Sequence, residues 1–299
     1  MLDYNFITID ARQLLSRHFA ACNVPSCNFS FATILTWQHR YHSSFSILDC
    51  GGLVIRFVCD DGRPCYMPPL GGDTANCLKQ MMADASERGD LFRISAVTPD
   101  IRDRIEALMP GTFDYEASRD SAEYIYLRSS LATLQGRHLQ AKRNHVNRFC
   151  ADYAGFEQHP ITPDVIPQCR ALYGHWHSAY MAGHPTADLS DESCSVAVAF
   201  DHFDELGLRG VCITHRGRML AFAFGEMLTA DTFLTHVEKA LPDVPGAYSV
   251  INKLTAQSLP PEVVYINREE DMGLPNLRQA KMSYCPDHLL TVGTLTLKH

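Results

Sequence analysis

Apolar positions along this chain switch between helical and alternating spacing, and the switches mark out its elements. In the first half a helical spacing covers Ile9–Ala20 and Phe31–His39. Strand-like runs follow at Ser46–Leu48 and Leu53–Val58, the second turning through Asp60-Asp61-Gly62-Arg63 into Cys65–Pro69. Thr74–Arg88 is amphipathic, Leu91–Val97 reads as a strand, and Pro99–Leu108 as a helix with proline at its start. Tyr124–Leu127 closes the set. The second half repeats the order. Helices are predicted over Pro163–Met181 and Asp191–Leu206, the latter capped by Ser190. Val211–Thr214 turns through His215-Arg216-Gly217-Arg218 into Met219–Met227, and the strand Thr232–Glu238 follows. A helix over Ala247–Ser258, a strand at Val263–Ile266, a helix over Asn276–Met282 and a strand near Leu290–Leu297 complete it. The two glycine-centred turns hold equivalent places. The order therefore predicts two α/β (α+β) units in tandem, residues 1–128 and 129–299, each a mixed sheet with flanking helices.

Between the two lies a helix predicted over Arg137–Tyr153, with Leu139, Val146, Cys150 and Tyr153 on one apolar face. Lys142 and Arg143 fall within roughly 60° of that face, so they border whatever the helix packs on. Arg137, Asn144 and Arg148 lie on the opposite face. No acidic residue stands between Glu123 and Asp152, a stretch that holds Arg128, Arg137, His138, Lys142, Arg143, His145 and Arg148. Two readings stay open. Lys142 and Arg143 line a cleft and hold phosphate or carboxylate oxygens, or their stems cover the core edge while their heads reach water.

Composition narrows the class. With 299 residues, 46% hydrophobic and 20% charged, the chain has ample core material. A net charge of −8 argues against a general nucleic-acid binder and makes the basic helix a local feature, suited to one anionic ligand. No window approaches the ~18 apolar residues of a membrane span. Met1–Arg12 lacks a basic and an apolar signal region, so a cytoplasmic location is expected. Eleven cysteines without a C-x-x-C pair are expected as reduced thiols. His175, His177 and His184 have no carboxylate or cysteine at ligand spacing, and no metal is expected. Gly71-Gly72 before a helix reads as a tight turn more readily than as an anion site.

Chemistry concentrates between Tyr265 and Pro286. A strand runs into Asn267, Arg268, Glu269, Glu270, Asp271 and the turn residue Gly273, and a helix beginning at Pro275 then brings Arg278 and Lys281. Polar residues at a strand end followed by a glycine turn are where α/β enzymes place reactive groups. A salt-bridged surface turn is the plain alternative.

The run from Leu131 to Phe149 resembles a pattern L-A-x-L-x-G-x-x-x-x-x-K-R-N-H-x-N-x-F. Further matches are His236-Val-Glu-Lys239, Pro245-Gly-Ala-Tyr248, Ile251-Asn252, Asn267 to Gly273, and Leu277 to Pro286 with Tyr284. Together, from about Tyr124 to Tyr284, they resemble the soluble group of the phosphatidylglycerol lysyltransferase C-terminal domain family. The resemblance implies a tandem GNAT-like (acyl-CoA N-acyltransferase) fold, shared with the Fem peptidoglycan aminoacyltransferases. It also implies transfer of an aminoacyl group from aminoacyl-tRNA to an amine or hydroxyl, without a bound cofactor. The acceptor would be a small molecule, a peptide or a lipid headgroup. On that reading Lys142, Arg143, His145 and Arg148 hold donor phosphates. Glu238 is an acceptor-amine ligand or general base, and His236 the alternative base. Asn267 and Arg268 bind the aminoacyl portion or stabilise the oxyanion. Glu270, Asp271, Arg278, Lys281 and Tyr284 shape the site, in part as an ion-pair network. A CoA thioester is the alternative donor, but Leu241-Pro-Asp-Val-Pro-Gly246 has two prolines and an aspartate where a pyrophosphate cradle needs N–H groups. A non-catalytic module for an anionic ligand is the second alternative.

Overall fold

A computed structural model describes residues 1–298. Strand β1 (Asn5–Phe6) leads into helices α1 (Arg12–Cys22), α2 (Phe31–Thr36) and α3 (Gln38–Tyr41). Strands β2 (Ser44–Ile47), β3 (Leu53–Val58) and β4 (Pro64–Tyr66) form a meander. Helix α4 (Thr74–Arg88), strand β5 (Arg93–Val97), helix α5 (Pro99–Leu108) and strand β6 (Phe113–Ala117) follow. Asp73 accepts from the amides of Ala75 and Asn76, which starts α4, and Gly89 in the left-handed region stops it. A side chain on Gly72 would collide with the Gly52 backbone and the Cys50 carbonyl, so this Gly-Gly pair is a close-packed turn.

The hairpin of β3 and β4 corrects one expectation. Cys59 and Cys65 form a disulfide across it, Cα atoms 6.2 Å apart. The register sets Cys65 opposite Phe57, and Cys59, two residues on, reaches it diagonally across the hairpin. That spacing fits neither a metal knuckle nor a disulfide framework, which is why the pattern of cysteines alone passed over it.

The second set of elements begins with β7 (Glu123–Leu127), α6 (Arg128–Thr133), α7 (Gln140–Asp152) and β8 (Glu157–Pro160). Helices α8 (Ile166–Gly183) and α9 (Ser190–Asp201) precede strands β9 (Arg209–His215), β10 (Arg218–Met227) and β11 (Thr232–Ala240). Then come α10 (Ala247–Ser258), β12 (Tyr265–Asn267), α11 (Pro275–Met282), β13 (His288–Leu290) and β14 (Gly293–Leu297). Two seven-stranded mixed sheets result, ordered β1-β2-β3-β4-β5-β14-β6 and β13-β7-β12-β11-β10-β9-β8. The helix α10 packs on β9, β10 and β11 and against α6 and α7, while α8 packs on β10 and β11.

The compact units do not divide the chain after residue 128. One comprises Met1–Glu123, Glu270–Gly273 and the chain from Leu290 on; the other comprises Tyr124–Glu269 and Leu274–Leu289. The last strand, β14, pairs with β5 and β6 of the first sheet, and β7 pairs with β12 of the second. Strand pairing is non-local, so a boundary read from element order puts β7 and β14 on the wrong side.

The feature that positions the site is the short pairing of β11 with β12. Parallel strands β11 and β12 pair over three residues only, Thr232 with Tyr265, Phe233 with Ile266 and Leu234 with Asn267. There β12 ends, and β11 runs on to Ala240. Beyond that point the residues that follow Asn267 lie beside the carboxyl end of β11.

Candidate active site

The pairing of β10 with β11 shifts register at His236, which is the extra residue between Thr235, opposite Gly225, and Val237, opposite Phe224; Glu238 lies opposite Ala223. Asn267, fully buried at the end of β12, accepts from the Glu269 amide at 2.7 Å. This Asx turn holds Glu269 in the left-handed region at φ 57°, a conformation costing on the order of 1 kcal/mol or more. It sends successive side chains to successive partners. Arg268 Nη2 donates to Glu238 Oε1 at 2.9 Å, and Glu269 meets His236 Nδ1 at 3.3 Å. Lys281, buried on α11, donates from Nζ to the Arg268 carbonyl at 2.6 Å and so secures the turn from behind.

Glu238 and Arg268 are only 10% and 13% exposed, deep enough for unpaired groups to matter. Asn252, buried on α10, donates from Nδ2 to Glu238 Oε2 at 3.0 Å. Each partner leaves one atom over. Among the described residues Arg268 Nη1 and Asn252 Oδ1 are buried without a hydrogen-bond partner, a cost of about 1–3 kcal/mol for each such group. Lys142 lies with Nζ 4.1 Å from the centre of the Tyr284 ring, and Arg268 lies 5.0 Å from the same ring and 5.5 Å from that of Tyr126. The Tyr284 hydroxyl reaches Ser249 at 3.4 Å, and the Tyr126 hydroxyl donates to the Lys281 carbonyl at 2.8 Å.

The electrostatics leave a positive surplus. Burial pulls the Arg268 guanidinium down, but Glu238 together with Tyr126 and Tyr284 outweighs it and holds the group above its ordinary value. Burial, then the neighbouring Arg268, pushes Lys142 below the ordinary lysine range. Two cations thus share one carboxylate, and an arriving oxyanion relieves both. The second pair is of another kind. His236 Nε2 meets Glu226 at 3.1 Å while Nδ1 meets Glu269. Burial opposes its charge, yet the two carboxylates raise it to about 9. His236 is an imidazolium clamped at both nitrogens.

The family model described as "Phosphatidylglycerol lysyltransferase, C-terminal" matches residues 20–292. The chain belongs to this family. A solved structure of a conserved protein of unknown function from Bacteroides thetaiotaomicron VPI-5482 is 36% identical, with both chains covered in full and a TM-score of 0.93. L-PGS from Bacillus licheniformis is similar at 12% identity over 86% of this chain and 84% of that one, TM-score 0.60. FemX is similar at 10% identity over 98% and 97%, TM-score 0.59. At these identities the likeness is one of fold, and the fold is the tandem GNAT-like one. An uncharacterized protein of Mycoplasmoides gallisepticum, MYCGA3080, is 22% identical over 182 residues, and the chain spans 57% of its length.

Within this family frame the other expected residues separate. Of the four basic residues expected to hold the donor, Lys142 alone joins the Glu238 cluster. Arg143 donates to the carbonyls of Leu134 and Gly136 and holds the loop before α7. His145 and Arg148 are exposed, the latter paired with Asp152 on its own helix. Asp271, fully buried, accepts from Arg119 at 3.1 Å and from the Gly273 amide at 2.9 Å, while Glu270 lies near Cys27. Both belong to the first unit and not to the Glu238 cluster; Arg278 is half-buried on α11. Asn252, Ser249 and Tyr126 received no role from the sequence. Asn252 stands in a matched motif, and its helical phase toward β11 was the available signal.

The turn from β11 to α10 does not fit a CoA pyrophosphate. Pro242 and Pro245 carry no N–H, and the amides of Val244 and Ala247 already donate to Leu241 and Val244. Gly246, at φ 84°, lies so close to the His145 carbonyl of α7 that a side chain there would collide.

Proposed function

We propose that this chain transfers an aminoacyl group from aminoacyl-tRNA to an amine or hydroxyl acceptor at the carboxyl end of β11. The carrying observation is the positive surplus at Glu238, with Arg268 Nη1 unpartnered and both Arg268 and Lys142 at the Tyr284 ring. As the acceptor attacks the ester carbonyl, negative charge grows on its oxygen. Arg268 Nη1 and Lys142 donate to that oxygen in a site with few competing waters. Glu238 holds Arg268 in place and is the carboxylate that takes the acceptor's proton; as the carbonyl re-forms, the ester C–O bond breaks and that proton passes to the departing ribose oxygen of the tRNA end. His236 is already charged at neutral pH and serves as a clamp on the Glu269 turn. The exposed side chains of Arg137 and His138, just before α7, and of His145 and Arg148 on it track donor phosphates. Family membership and the fold shared with L-PGS and FemX support a transferase. Among the described residues no helix is long and apolar enough to cross a membrane, so a lipid acceptor would be reached from outside the bilayer.

The test is binding of the purified chain to total aminoacyl-tRNA and to acetyl-CoA over a salt series. The expected result is salt-sensitive tRNA binding, weakened about tenfold by Lys142→Met, the loss of one charge-assisted contact. Retention of acetyl-CoA without tRNA would overturn the reading.

A further inference from the structure

Eleven cysteines stand in the sequence, and the proposed transfer uses none of them. Two of them, 27 residues apart, meet in the first unit. Cys50 sits in the turn between β2 and β3, where the Gly51 amide donates to the Leu48 carbonyl. Cys77 lies in the first turn of α4, its amide on the Asp73 carbonyl. Glycines bring the two together. A side chain on Gly52 would collide with the Cys77 sulfur, and one on Gly72 with the Cys50 carbonyl. The Cys50 and Cys77 sulfurs are left 3.5 Å apart, in contact but unbonded. Cys77 is fully buried and Cys50 half-buried, so a reagent in solvent meets Cys50 first.

We propose that Cys50 and Cys77 form a dithiol modification site, closed to a disulfide by a low-molecular-weight disulfide such as oxidised glutathione. The Cys50 thiol ionises and its sulfur attacks one sulfur of the reagent. The reagent's S–S bond breaks, and the departing sulfur takes up the proton and leaves as a thiol. The Cys77 sulfur then attacks the Cys50 sulfur, and the second thiol leaves with the Cys77 proton. Two protein thiols are oxidised and one reagent disulfide is reduced to two thiols. Burial, then the contact with Cys50, pushes the Cys77 thiol up to about 12, which leaves the opening step to Cys50. The closing step is intramolecular, which offsets the weak acidity of Cys77. The sulfurs must close to about 2.05 Å, a shift within reach of side-chain rotation at the Cys50 turn. The new bond ties the start of α4 to the β2–β3 turn, whereas the Cys59–Cys65 disulfide spans a single hairpin.

The experiment exposes the full folded chain to oxidised glutathione and maps its cysteines by mass spectrometry without reduction. Reagent is raised until the exposed Cys150 and Cys285 carry glutathione. The expected product is a peptide pair joined through Cys50 and Cys77, two hydrogens lighter than the free thiols and without glutathione. The joined form should also melt several degrees higher, since the bond restricts the unfolded chain. In Cys77→Ala the first step has no successor, and Cys50 should retain glutathione. The parent result needs no variant, so a folding defect in Cys77→Ala does not obscure it. Recovery of Cys50 and Cys77 unjoined from the parent chain, as thiols or with glutathione on Cys50 alone, would overturn the proposal.

Discussion

Two buried carboxylates, Asp84 and Glu238, sit in corresponding surroundings and differ in one respect. Asp84, on α4, is 2% exposed and fully served. Its oxygens accept from the Leu2 amide at 2.7 Å, the Tyr66 hydroxyl at 2.8 Å, the Tyr4 hydroxyl at 3.1 Å and Arg88 Nε at 3.0 Å. Glu238 also has an arginine and a polar partner, yet each partner keeps an unmet atom. A saturated network orders a fold, whereas an unsaturated one holds free energy in reserve for a ligand. The polar residues alone do not distinguish these cases. The count of unmet donors and acceptors does.

The largest effect that would test the contrast is on the saturated side. Asp84→Ala strands two phenols, a guanidinium and an amide, and is expected to lower the unfolding free energy by about 3–5 kcal/mol. Denaturant titration measures it, and tRNA binding by the folded fraction should be unchanged. Loss of binding without loss of stability would invert the comparison.

A somewhat smaller effect is the pH dependence from His236. Its folded value, about 9, lies above the ordinary 6.5, so its contribution is fully present below 6.5 and is lost as pH rises through 9. Stability should fall by an amount on the order of 3 kcal/mol across that window. His236→Gln should flatten the slope there. A slope unchanged in the variant would mean that the two glutamates do not hold a charged imidazole.

The smallest stability effect is expected at the unsaturated site. Burial disfavours the Lys142 charge, so Lys142→Met should leave the unfolding free energy within about 1 kcal/mol of the parent, or above it, while donor binding falls. A large destabilisation would assign Lys142 to the saturated class.

Much of the fold was legible in order and spacing. Leu53–Val58, Thr74–Arg88, Pro99–Leu108 and Ala247–Ser258 have the bounds expected of them. The strand Phe113–Ala117 was missed because its face pattern is mostly exposed, and Glu157–Pro160 for the same reason. Helix α9 starts at Ser190 itself, with Leu189 at the cap position and no side-chain cap. Local propensity carries no record of such choices.

The residues by themselves determined the tandem α/β order, the presence of a basic helix and the cluster of polar residues after Ile266, while the structure places that helix inside the second unit. Helical phase placed Lys142 and Arg143 alike at the border of an apolar face. Only the tertiary structure separated them. Arg143 turns to the carbonyls of Leu134 and Gly136, and Lys142 lies over Tyr284 beside Arg268. Phase is a property of one helix. Whether a buried donor or acceptor is met depends on residues 126, 142, 238, 252, 268 and 284 at once, drawn together by strand pairing and packing that no local pattern encodes.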